Sequence, residues 1–274
     1  MKYAKICLIA SMIVLTASFA TAQDEPIDKE ELKTKIAEWL PGMADDDIGR
    51  RNSPQQSLQK ICFAVGTPGR EKDKATVCEV LVETLDADMK PPAKVWILTQ
   101  LEWIGGKECV AAVAKSLTDG DETIRDAARR ALENIPAPEA GAALIAAIPN
   151  SNGELRASLA NSLGPRGEDS AVPALAGLLR DRDTAVVDAA ANSLSKIGTP
   201  KAIQSLKDAL RDASDQTCTP IAHAYLYCAY QLRLTGKKNE AMAIYNDLTG
   251  DKIPKGIRLA AMRGKLNIMG KINP

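Results

Sequence analysis

Four consecutive blocks of 31 residues, starting at Pro91, Glu122, Gly153 and Thr184, align column for column. One column reads Leu101, Leu132, Leu163 and Leu194. A second reads Val113, Leu144, Leu175 and Leu206, and a third Leu117, Ile148, Leu179 and Leu210. A unit this short has room for two helices, and it cannot bury its apolar face alone. Neighbouring units must therefore share one core. The expected fold is all-α: a right-handed α-solenoid, or superhelix, of antiparallel helix pairs.

Within each block the first helix carries apolar residues near columns 3, 7, 11 and 14 and the second near columns 20, 23 and 27. This is the 3.6-residue period of a helix with one buried face. The corner between the two helices holds Gly105-Gly106, Pro136-Ala137-Pro138, Gly167 and Gly198-Thr199-Pro200, residues that break helices. Between blocks, Asp121, Asn152, Asp183 and Ser214 share one column. Each is suited to cap the helix after it by accepting hydrogen bonds from its free amides.

The first 22 residues read as a cleaved signal peptide. Lys2 and Lys5 precede an apolar run from Ile6 to Leu15, and Ala20-Thr21-Ala22 supplies a small-x-small site with cleavage before Gln23. The run is shorter than the roughly 20 apolar residues of a membrane span. The mature chain is thus expected to be exported, periplasmic or secreted, with no membrane insertion. Thirty-five basic residues balance thirty-five acidic ones, which argues against nucleic acid as the partner. Cys62, Cys78, Cys109, Cys218 and Cys228 remain after cleavage. Export permits disulfides, and a Cys78 to Cys109 bridge and buried thiols both remain open.

Five segments follow: the signal peptide, 1–22; a terminal segment with a capping helix, 23–52; a divergent first repeat, 53–90; four regular repeats, 91–214; and a final helical pair with one more helix, 215–274. Asp28 to Leu40 reads as a helix capped by Asp28 and ended by Pro41-Gly42. Ser53 to Val65 and Gly69 to Leu85 read as the first pair. Pro254 to Met269 reads as a last helix with Ile257, Ala261, Gly264 and Ile268 on one face.

The loops between blocks run Asp119-Gly-Asp-Glu-Thr-Ile-Arg125, Asn150-Ser-Asn-Gly-Glu-Leu-Arg156 and Asp181-Arg-Asp-Thr-Ala-Val-Val187. That pattern resembles the short bacterial form of HEAT repeat, the type of the phycobilisome-lyase relatives, although the last copy lacks the arginine. The run from Trp96 to Gly106 and Leu163-Gly-Pro-Arg-Gly-Glu168 resemble exported bacterial HEAT-repeat proteins. From Thr219, the spacing of Tyr225, Ala229, Gly236, Ala241, Tyr245 and Leu248 is similar to a degenerate tetratricopeptide repeat. The resemblance implies a HEAT/ARM-like solenoid, and it transfers no activity: the catalytic HEAT protein deoxyhypusine hydroxylase holds iron through repeated His-Glu pairs, which this sequence lacks.

The residues point the same way. His223 is the single histidine, so no His-Glu-x-x-His helix exists; there is no Cys-x-x-Cys pair and no phosphate-binding glycine loop. No catalytic residue, cofactor or metal set is assigned. Asp45-Asp46-Asp47 reads as a solvated loop or helix start, and Arg129-Arg130 and Lys237-Lys238 as exposed faces. Trp96 and Trp103, seven apart, share a helical face and are expected to pack. Tyr227 and Tyr230 suit contact with a partner, their hydroxyls left available.

If second helices line the inner surface, Ala142, Ile145, Ala146, Pro173, Ala176 and Gly177 form a small, weakly polar strip for an approaching polypeptide; the next repeat offers Lys201, Gln204, Lys207 and Asp208. The last helix, with no paired helix after it, offers self-association or a partner site. The expected function is a non-catalytic exported scaffold for protein–protein interaction. The alternative is an accessory or regulatory module of a separately encoded enzyme, or an unrecognised enzyme.

Overall fold

The computed structural model describes residues 26–271, so the signal-peptide reading lies outside the described residues. The described residues form helices and turns only, and they divide into two compact units, one ending at Asp88 and one beginning at Met89.

The first unit holds three helices: α1 (Lys29–Met43), α2 (Ile48–Val65) and α3 (Glu71–Leu85). Leu32, Ile36, Met43, Leu58, Val77 and Leu81 are buried in its core. Asp28 caps α1 by accepting from the Glu31 amide. Two boundaries differ from the sequence reading. Pro41-Gly42 does not stop α1, which continues to Met43; proline in the last turn forfeits one bond, and burial of Met43 offsets it. α2 starts at Ile48 rather than Ser53, because Asp47 accepts from the Arg50 amide and so caps it earlier, leaving Pro54 inside the helix. The acidic run at 45–47 is thus a helix start.

The second unit contains the regular array. Its first helices are α4 (Pro91–Ile104), α6 (Glu122–Asn134), α8 (Gly153–Arg166) and α10 (Thr184–Ile197). The second helices are α5 (Val110–Lys115), α7 (Pro138–Ala147), α9 (Val172–Leu178) and α11 (Pro200–Arg211). Each first helix packs on the first helix of the next repeat; of the second helices, α5 packs on α7 and α9 on α11, while α7 packs on the turn Asp169–Ala171 that leads into α9. The array then continues through α12 (Asp215–Leu234), α13 (Lys238–Asp247) and α14 (Lys255–Ile268). This is the α-solenoid that the 31-residue period demands.

Both leading columns, Leu101 to Leu194 and Val113 to Leu206, are fully buried. Each such side chain contributes about 1.5–3 kcal/mol relative to exposure. All four predicted caps form: Asp121 accepts from the Thr123 and Ile124 amides, Asn152 from Leu155, Asp183 from Ala185, and Ser214 from Thr217. The two tryptophans separate. Trp96 is half-buried, but Trp103 is 79% exposed, because its column, with Asn134, Pro165 and Lys196, faces solvent in every repeat.

α8 and α10 approach closest. A Cβ at Gly164 would lie 2.8 Å from Ser193 Oγ and 3.0 Å from its Cα, so only glycine permits this contact. Ser193, itself buried, donates to the Ala160 carbonyl at 2.8 Å. Between α6 and α8 polar groups intervene instead. Arg129 donates to Ser162 Oγ (2.6 Å) and Glu133 (3.0 Å), and Ser162 in turn donates to Glu133 (2.7 Å). Arg129 is therefore not on the exposed face expected for it; it lies between helices, where the carboxylate and hydroxyl offset its desolvation.

The helix corners show how one repeat supports another. Gly167 and Gly198 end α8 and α10 in the left-handed region, at φ 67° and 62°. Repeat two has Pro136 in that column, and α6 ends one residue earlier with Ile135 extended. Its terminal carbonyls are satisfied from the next repeat. Arg166, whose side chain is only 6% exposed, donates to the carbonyls of Leu132 (2.7 Å), Glu133 (3.0 Å), Ile135 (2.9 Å) and Ala137 (2.7 Å). Glu168 neutralises it at 2.6 Å. The Leu163 to Glu168 motif thus works by closing the neighbour's helix end.

Ion pairs tie the start of a first helix to the loop that ends the same repeat. Lys94 meets Asp119 and Arg156 meets Asp181, each at 2.8 Å. Arg125 faces Asn150 in the equivalent position and turns to the Asp119 and Gly120 carbonyls; Val187 removes the cation in the last copy. The Lys94 ammonium, then the Asp121 amide, hold the Asp119 carboxyl below its ordinary value of 3.8. The Asp183 amide, then Arg156, lower that of Asp181.

Three stability outcomes follow from these contacts. Leu163→Ala is expected to cost about 2–5 kcal/mol, as for other buried leucines. Arg166→Met should cost about 3 kcal/mol by orphaning several carbonyls. Arg180→Met, which breaks an exposed pair with Asp212, should change less than about 1 kcal/mol. Urea midpoints followed by circular dichroism measure all three. For acid, the depressed carboxyls contribute fully above the unfolded value and lose that contribution as pH falls through the lower folded value. Midpoints of the parent should therefore drop below about pH 4. The Asp119→Asn/Asp181→Asn variant should start lower at pH 7 and show a flatter acid arm.

Candidate functional site

The sequence-derived strip is on the surface of α7 and α9. Ala142, Ala146, Pro173 and Gly177 are exposed, and Ile145 and Ala176 half-buried. Their small side chains leave the backbone approachable, but no polar group is aimed across them. In the following repeat Gln204 donates to Asp208 at 3.0 Å and Lys207 pairs with Asp247 at 2.9 Å, so those polar residues are already engaged.

A more developed site lies where α12, α13 and α14 meet. α12 begins at a complete capping box between Ser214 and Thr217. Tyr225, Cys228 and Ala229 point into the core, which turns Tyr227, Tyr230 and His223 outward. The Tyr225 hydroxyl donates to Asp247 at 2.8 Å, tying α12 to the end of α13. Burial first, and then that carboxylate, push the Tyr225 phenol up, so it remains a neutral donor. Gly236, at φ 81°, turns the chain into α13. Ile257, Ala261 and Gly264 seat α14 on the pair, where the Tyr245 ring occupies the space a Cβ on Gly264 would need.

The result is an open groove of about 420 Å³. One wall carries His223, Tyr227, Tyr230 and Arg233 from α12; the other carries Ala260, Arg263 and Asn267 from α14, with Tyr245 and Gly264 as the floor. Tyr227 and Tyr230 are about half exposed, as partner contacts require. The Arg233 guanidinium lies 5.3 Å from the centre of the Tyr230 ring, a cation–π arrangement that keeps the charge at the groove. No carboxylate lines it. Neither Arg233 nor Arg263 has a carboxylate partner among the described residues, whereas Arg129, Arg156, Arg166 and Arg258 all do. His223 stands exposed at the rim.

α14 also has a second apolar face. Leu259, Met262, Leu266 and Met269 follow helical spacing on the side away from Ile257 and Ala261, and all four are exposed. A repeat that continued the stack would cover such a face.

The sequence placed Tyr227 and Tyr230 on an outward face, as observed, but not the groove they line. Its charge was hidden by the overall balance: residues 219–271 contain nine Lys and Arg against three Asp and Glu, which a whole-chain sum of zero conceals. Charge counted by segment would have shown it. The pairing of Tyr230 with Arg233, three residues on, was also readable; the contribution of Arg263 from another helix was not.

Cys62, Cys78, Cys109 and Cys228 are buried, and Cys218 is part-exposed. Burial pushes the Cys62 and Cys228 thiols up to about 12, so both stay protonated at neutral pH. No helix among the described residues is long and apolar enough to cross a membrane.

No curated protein sequence matches the chain. Among solved structures it is similar to YibA of Escherichia coli, at 14% identity and a TM-score of 0.46 over 88% of this chain and 97% of that one. It is also similar to the complex of CpcE and CpcF of phycocyanin lyase from Nostoc sp. PCC7120, at 17% identity and a TM-score of 0.42 over 90% and 95%. A designed armadillo repeat protein aligns at 16% identity and a TM-score of 0.36 over 85% and 99%. A family model described as HEAT repeats matches residues 78–164 and again 141–224. These matches together span more than half of its residues, and the chain belongs to the HEAT-repeat family.

Proposed function

We propose that this HEAT-repeat chain is an exported, non-catalytic scaffold that binds other polypeptides. The observation that carries the reading is the surface of its last helices. Tyr227, Tyr230, Leu259, Met262, Leu266 and Met269 are exposed around a core that is already complete without them. Exposed apolar side chains that folding does not use mark interaction surfaces. The small-residue strip from Ala142 to Gly177 offers a second contact on the same array. Aromatic residues serve such contacts well, because a ring buries area at little conformational cost and a phenol still finds a hydrogen bond.

Export follows from the amino-terminal segment: a basic start, an apolar run and the Ala20-Thr21-Ala22 site. Protein recovered from outside the cytoplasm should begin at Gln23 when its terminus is sequenced. Recovery only inside, with Met1 to Ala22 retained, contradicts this.

The binding reading is tested by capture from an exported-protein extract on immobilised chain. The parent, Ala146→Glu/Ala176→Glu and Leu259→Glu/Leu266→Glu are compared after circular dichroism has shown each to be folded. A stoichiometric partner retained by the parent and lost from one of the two variants is expected. Sedimentation of the same proteins identifies the α14 face as a self-association surface if only the Leu259→Glu/Leu266→Glu variant changes mass. Equal recovery by all three proteins, with no change of mass, rejects both surfaces.

A further inference from the structure

The groove between α12 and α14 brings together two arginines that have no carboxylate partner among the described residues. Several arginines elsewhere in the second unit are consumed by the fold: Arg125 on loop carbonyls, Arg156 on Asp181, Arg166 on a helix end, Arg258 on Asp251. Arg233 and Arg263 instead face a common space that holds no carboxylate. The rest of the lining is largely apolar, with the Tyr245 ring on the floor and Leu226 and Ala260 on the walls. Its volume, about 420 Å³, suits one or two side chains of a chain lying across it.

From this juxtaposition we infer that the groove binds a short acidic segment of a partner polypeptide, with an apolar side chain seated between the α12 tyrosines and Ala260 and flanking carboxylates on Arg233 and Arg263. The inference rests on the protein-binding reading above and names the ligand chemistry of one site. Guanidinium pairs with carboxylate through two parallel N–H donors, and the cation–π contact with Tyr230 holds one of the two forks in place. A basic balance over residues 219–271 extends the attraction beyond the contact itself. A phosphate polymer would require a track of cations along its backbone. Here two arginines flank an apolar floor, which an amino-acid side chain fills and a sugar-phosphate chain does not.

The test uses the full chain and three fluorescein-labelled heptapeptides, each with a central leucine and glutamate, glutamine or lysine at the other positions. Fluorescence anisotropy should show the glutamate peptide binding at least about tenfold more tightly than the glutamine one, with the advantage shrinking as salt rises. Arg233→Glu/Arg263→Glu should abolish the preference, and Tyr227→Ala should weaken the glutamate peptide without changing its salt dependence. Arg263→Glu alone, at an exposed position, serves if the double variant melts early. Equal affinity for glutamate and glutamine peptides, or binding indifferent to Arg263, overturns the inference. So does tighter binding of an oligothymidylate or of phosphatidylglycerol vesicles than of the peptide. If the peptides fail while a captured partner still depends on Ala146 or Leu259, only this inference falls; if no surface variant affects any capture, the scaffold reading falls with it.

Discussion

Burial of the leucine column Leu101, Leu132, Leu163 and Leu194 is the interaction on which the array depends. Each sits on a first helix that packs against the first helix of the neighbouring repeat, so no repeat completes its core alone. Stability then accumulates through interfaces between neighbours. The quality of those interfaces varies. α8 meets α10 through Gly164 and the Ser193 bond to the Ala160 carbonyl, whereas α6 meets α8 through the Arg129, Glu133 and Ser162 cluster. Leucines supply the common attraction, and the residues beside them set how closely two helices lie.

Backbone accounting at helix ends explains many of the remaining polar residues. Asp121, Asn152, Asp183 and Ser214 satisfy free amides at helix starts. Carbonyls at helix ends are handled by the left-handed glycines 167 and 198, and, where Pro136 forbids that solution, by Arg166 reaching back from the next repeat. A buried guanidinium that serves four carbonyls and one carboxylate is a structural group, despite its charge. Arg233 and Arg263, which have no such work, line one groove, so charge alone is a poor guide to function here and convergent charge without a partner is a better one.

The last three helices keep the packing rules of the array and depart from it in what they expose. Tyr225 and Tyr245 are drawn into the core, the first by its bond to Asp247 and the second by the close approach that Gly264 allows. That leaves Tyr227 and Tyr230 outward, Arg233 and Arg263 lining one groove, and a second apolar face on α14. In the regular repeats, by contrast, exposed columns hold mainly small or charged residues. Contact chemistry is therefore concentrated at this part of the described chain.

The sequence by itself determined the architecture, because a 31-residue apolar period admits only paired helices with a shared core, and because caps and corners recur in fixed columns. It also determined that Tyr227 and Tyr230 lie off the buried face of their helix, since Tyr225, Cys228 and Ala229 define that face. It did not determine where α1 and α2 end and begin, because one buried methionine and one aspartate cap outweigh two prolines that propensity treats as breaks. Nor did it determine the fate of Trp103 or Arg129. A seven-residue spacing gives a shared face, but whether a neighbour covers that face is decided by the adjacent repeat. The groove is the clearest case. Arg233 and Arg263 stand thirty residues apart in the chain and line one groove only because α14 folds onto α12, an arrangement that no local pattern encodes.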